Sequence, residues 1–87
     1  MDIVTIQRTG KQIECRYAAP SISTGRFVAC VIGETPEQIR EDFTDPGTLT
    51  VHNAEDLYAD KTYEGYTTID EIRPSDGDYV IVMGKGG

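Results

Sequence analysis

The chain has 87 residues and a formal charge of -7, which leaves room for one domain with a modest core. No apolar stretch approaches the roughly 20 residues of a membrane span, and cationic residues are too sparse for wrapping nucleic acid or binding an anionic membrane. Asp2 and the early alternating pattern argue against a secretory leader, so the expectation is a cytoplasmic protein.

Ile3 to Gln7 is expected as a first strand with apolar residues on both faces. Thr9-Gly10-Lys11 follows as a turn. Gln12 to Tyr17 alternates, placing Ile13, Cys15 and Tyr17 on one side and Gln12, Glu14 and Arg16 on the other. This is a hairpin with one wet face and a buried Cys15. Ala18 to Gly25 reads as a connection of small residues, Pro and Gly, with Ser21 and Ser23 as turn residues. Phe27 to Ile32, FVACVI, is an apolar run expected as a central strand covered on both faces. Cys30 lies within it. Two cysteines are too few for a disulfide framework, and a Cys15–Cys30 bond is left open, with a reducing compartment arguing against it.

Thr35 to Phe43, TPEQIREDF, is the one convincing helix. Thr35 is the cap, Pro36 suits the first helical position, and Gln38 completes a capping box. Ile39 and Phe43 share a face, while Glu37, Arg40 and Glu41 are assigned to solvent. So short a helix is unstable alone in water, so Ile39 and Phe43 must insert into a sheet.

Thr44-Asp45-Pro46-Gly47 stops the helix. Leu49 to His52 gives a short strand, Asn53 to Asp56 a turn, and Leu57 to Tyr63 a weaker strand. Tyr66 to Ile72 is stronger. Ile69 and Ile72 have opposite parity, which predicts a bulge near Asp70-Glu71. Arg73 to Gly77 is read as a hairpin loop and Asp78 to Met83 as a closing central strand, with Gly84 to Gly87 a flexible end. The expected fold class is α+β, a mainly antiparallel twisted sheet of about six or seven strands packed on one short helix.

Nothing in this pattern points to catalysis, a metal or a cofactor. His52, the lone histidine, has no visible partner for base or ligand work and is expected on the surface. An anion at the helix start would be repelled by Glu34 and Glu37, and Gly84-Lys85-Gly86-Gly87 lacks the Ser or Thr of a phosphate loop. What remains is a surface. Tyr58, Tyr63 and Tyr66 share one strand-and-turn region with Glu55, Asp56, Asp60, Glu64, Asp70 and Glu71. Tyrosine in strands packs across neighbours, and it also anchors interfaces. The sharper reading takes Tyr58, Tyr63 and Tyr66 as anchors within a rim of Asp60, Glu64, Asp70 and Glu71. The partner is then a basic protein surface, and self-association is left open.

Two resemblances bear on this. The opening MDIVTIQRTGKQIECRY resembles the first hairpin of ubiquitin, and the close DGDYVIVMGKGG resembles the end of ubiquitin-like sulfur carriers. That resemblance implies modification of the terminal Gly86-Gly87 by a partner enzyme. The second is longer and runs from Phe27 to Lys85. Phe43, Asp45 and Pro46 after a short helix, then Tyr63, Gly65, Tyr66 and Thr67, are similar to small proteins encoded by phages and prophages of Gram-positive gut bacteria. It implies an accessory role in the tail region or in opposing a host defence, and it carries no site residues. The preferred expectation is therefore a non-enzymatic, phage-encoded binding protein, with the carrier as the alternative.

Overall fold

The computed structural model describes residues 1–53 and 56–85, and of 56–59 only the backbone. In chain order the elements are β1 (Asp2–Ile6), β2 (Gln12–Pro20), β3 (Phe27–Val31), α1 (Pro36–Phe43), β4 (Thr48–Asn53), β5 (Asp56–Glu64), β6 (Tyr66–Ser75) and β7 (Asp78–Lys85). All seven strands lie in one sheet of order β5-β4-β1-β2-β3-β7-β6, and each neighbouring pair is antiparallel. This is the α+β architecture expected, with β3 and β7 both flanked by strands on either side.

The two outermost strands, β5 and β6, are consecutive in the chain and separated only by Gly65. The sheet must therefore curl until its edges meet at that residue. Phe27 confirms the curl from the inside, because its ring lies 5.6 Å from Tyr63 of β5 and 5.7 Å from Tyr66 of β6. Both are tilted aromatic pairs of the favourable kind. Val4, Ile6, Ile13, Cys15, Ala29, Val31, Leu49, Ile81 and Met83 fill the enclosed space. Gly65 sits at φ +86°, a conformation open to glycine at no steric cost.

Helix α1 closes one side of this interior. Thr35 Oγ1 accepts from the Gln38 amide while the Gln38 carboxamide accepts from the Thr35 amide, so the capping box forms as the sequence implies. Ile39 and Phe43 are wholly buried, and the helix packs beside β6. Each such side chain stabilises the fold by about 1.5–3 kcal/mol on burial.

The bulge near Asp70 is present: Ile69 pairs with Met83 and Glu71 with Val82, leaving Asp70 as the extra residue and turning both Ile69 and Ile72 inward. Three boundaries differ from expectation. Strand β2 runs on to Pro20, with Ala18, Ala19 and Pro20 opposite Ala29, Val28 and Phe27. Small residues suit a crowded ladder there, and Pro20 ends the strand where its missing N–H matters least. A bulge between Cys15 and Ala18 gives the inward place to Ala18, so Tyr17 is 48% exposed instead of following Ile13 and Cys15 into the core. The loop expected over Arg73 to Gly77 is only the turn at Asp76-Gly77, with φ +49° and +85°, the Asp-Gly pattern of a two-residue hairpin. Gly84 and Lys85, expected as flexible, belong to β7. Finally, β3 is covered by the core on one face only. Its outer residues Val28 and Cys30 pair with Val82 and Val80 and are sheltered by neighbouring side chains.

Two stability outcomes follow from this architecture. Phe43→Ala should cost about 3–5 kcal/mol in chemical denaturation, and a loss under about 1 kcal/mol would mean α1 does not seal the core. Open space surrounds Gly65, so Gly65→Val should destabilise by about 1–3 kcal/mol through backbone strain, with Gly65→Asn milder.

Candidate functional site

Strand alternation decides where the expected anchors and acids point. Leu49 and Tyr63 are register partners, so Tyr63 faces inward with Leu49, and Asp60 and Glu64 turn outward. Tyr66 is also inward and only 5% exposed, and its hydroxyl donates to the Gly25 carbonyl. Lys85 Nζ stands 5.3 Å from the centre of the Tyr66 ring, a cation–π contact. Burial pushes the Tyr63 phenol above its usual range. The aromatic and acidic residues thus lie on opposite faces of the strand. Tyr63 and Tyr66 serve the core, which corrects their expected place in a surface cluster. The side chains of Asp56 and Tyr58, and the whole of Glu55, Gly86 and Gly87, lie outside the described residues.

The acids divide between two places. Asp60 on β5 meets His52 Nδ1 on β4, so His52 has a partner after all, and it is a half-exposed one. Asp70 on β6 pairs with Arg26 at 3.2 Å, and Glu71 with Arg73 at 3.7 Å. The Asp70 carboxylate lies over Gly84, where any Cβ would approach it to 2.8 Å. Asp70 and Glu71 also line a groove of about 410 Å³ between β6 and α1, whose other wall is Arg40 and Thr44. Its β6 wall is the consecutive run from Thr67 to Ile72. Sequence reading gave Arg40 to bulk solvent, and no local signal marks a groove that depends on β6 being a sheet edge.

A second cluster escaped the sequence altogether. Lys11 Nζ sits 2.7 Å from Asp42 Oδ2 and 3.2 Å from Glu34 Oε1. Both carboxylate side chains are largely covered, at 14% and 15% exposure. Glu34 Oε2 is buried with no hydrogen-bond partner among the described residues. Burial, then Asp42, raises the Glu34 carboxyl above its ordinary value of 4.5, and its two neighbours hold Lys11 protonated.

This cluster belongs to a wider pattern. The basic residues of the first third reach across to acids of the rest: Lys11 as above, Arg16 to Asp78 at 2.5 Å, and Arg26 to Asp70. Arg8 donates to the Thr44 carbonyl at the end of α1. Much of the uneven charge is therefore internal complementarity between the first third of the chain and the rest.

Neither thiol is poised to react. Cys15 faces the core and burial pushes its pKa up to about 12, while Cys30, on the opposite face, is also raised by burial. Both are free. Among the described residues no group of three His, Cys, Asp or Glu could hold a metal ion, and no helix is long and apolar enough to cross a membrane. Compared with family models, with curated proteins and with solved structures, the chain finds no match in any of the three.

The Lys11 cluster gives a pH prediction. A carboxyl that titrates higher in the folded chain contributes stability below its unfolded value, and that contribution fades as pH rises through the folded one. Lys11→Met removes the cation that tempers the Glu34–Asp42 repulsion. The variant should therefore unfold at lower urea than the parent at neutral pH, with the gap narrowing as pH falls towards the ordinary Glu value of 4.5. Equal gaps at both pH values would exclude the coupling.

Proposed function

We propose that this is a non-enzymatic binding protein, phage-encoded and acting in the host cytoplasm, whose acidic side takes a basic surface of a protein partner. Its role is accessory, in opposing a host defence or in the tail region. The supporting observation is charge placement. Helix α1 packs beside β6, β5 runs into β6 through Gly65, and each of the three is net acidic: Glu37, Glu41 and Asp42 against Arg40, Asp56, Asp60 and Glu64 against Lys61, and Asp70 and Glu71 against Arg73. Glu37, Glu41 and Glu64 are exposed in full view of solvent. Tyr63 and Tyr66 support the scaffold in this reading, and the acids steer the encounter.

A partner that co-purifies from the native host provides the test. Its association should slow as the screening length falls from about 10 Å at 0.1 M salt to about 3 Å at 1 M. Glu64→Lys combined with Glu41→Lys should slow association further, whereas Glu14→Lys, exposed on β2, the middle strand of the sheet, should slow it much less. Salt-independent association would overturn the reading. Loss of function on extending the chain beyond Gly87 would instead favour a carrier modified at Gly86-Gly87.

A further inference from the structure

Strand β6 ends the sheet, so among the described residues its backbone on the side away from β7 has no strand partner. Gly65 forces this arrangement. The chain leaves β5 beside β4 and enters β6 beside β7, and beyond that junction the stretch from Thr67 to Ile72 has α1 as its neighbour instead of a strand. A helix offers no ladder of outward amides and carbonyls to an adjacent strand. The groove of about 410 Å³ lies between them, a volume within the range of sites that bury a ligand.

From this geometry we infer that the groove takes an extended cationic segment of the partner, paired to the free edge of β6 as an eighth strand. The inference rests on the binding role proposed above and deepens it. Strand addition supplies affinity through main-chain hydrogen bonds, with side chains of alternate residues giving selectivity. The half-buried Ile69 and Ile72 supply an apolar floor. Asp70 and Glu71 line the groove, with the Asp70 carboxylate turned back over Gly84 of β7, and Glu37 and Glu41 are exposed on α1. A cation from the segment would compete with Arg26 and Arg73 for Asp70 and Glu71, and those exposed pairs are weak enough to yield. Among the described residues Arg40 is the one cation in the groove wall, and it disfavours a second positive charge beside it. Long free edges are otherwise aggregation-prone. Here α1 packs beside β6, and Arg73 with Pro74 ends the stretch open to pairing.

The probe is a short synthetic peptide alternating lysine and valine, titrated to millimolar concentration against the whole protein by NMR with amide hydrogen exchange. Added peptide should protect outward amides between Thr67 and Ile72 and leave the β5 edge unchanged. Replacing its lysines by glutamates should weaken binding by about tenfold or more. Methylating alternate peptide nitrogens on the pairing side should abolish the protection. Arg40→Glu should tighten binding, and Glu71→Lys should loosen it. No binding, protection elsewhere, equal binding of the glutamate peptide, or indifference to methylation would each overturn strand addition. The same protection in concentrated protein without peptide would assign the edge to a second copy and overturn it too. The binding role stands or falls separately on the salt dependence of the native partner, so a failed peptide with a salt-sensitive partner removes only the groove.

Discussion

One glycine joins the two edges of the sheet, and the rest of the molecule follows from that continuity. A seven-stranded antiparallel ribbon with its ends far apart would leave one face of every strand in water. Running β5 directly into β6 through Gly65 makes the ribbon roll up. Phe27 of β3 can then touch Tyr63 and Tyr66 at once, although β3 is separated from β5 by three intervening strands. The join is a single point, so one side beyond it stays unsealed by strand pairing. Helix α1, too short to persist alone, lies there, and Ile39 and Phe43 turn its weakness into a plug.

Electrostatics repeat the same theme of one part completing another. The first hairpin is basic and the later chain acidic, an asymmetry that invites an interpretation in terms of partners. Within the fold much of it is spent internally, by Lys11 between Glu34 and Asp42, Arg16 on Asp78, Arg26 on Asp70 and Arg8 at the end of α1. What is left over is a smaller excess of carboxylates on α1 and β5. That residue of charge, not the formal total, is available to an outside surface.

Local features were legible where a residue type answers to a local rule. The Thr35–Gln38 box, the inward pair Ile39 and Phe43, the central apolar β3 and the bulge at Asp70 all follow from spacing and side-chain chemistry. The misreadings arise where distant pairing overrides local pattern. Tyr17 leaves the core because β2 bulges against β3, and no neighbour of Tyr17 encodes that. Tyr63 and Tyr66 turn inward because of their register against β4 and β7, which fixes a face that sequence alone leaves free. The Lys11 cluster joins residues 31 apart through a turn and a helix end, and it is invisible until both are in place. The candidate groove exists only because β6 is an edge, a property of topology and not of its ten residues.

The position of β7 carries a consequence for how the chain is made. Strand β3 is the most apolar segment, and one of its two ladders is to β7, with Phe27 opposite Met83 and Val31 opposite Tyr79. During synthesis, β1, β2 and β3 can zip together as a meander, but the far side of β3 waits for more than forty further residues to emerge. In that interval a hydrophobic edge is open to any chain nearby. Hairpin closure through Asp76-Gly77 then brings β7 to that edge with β6 already beside it.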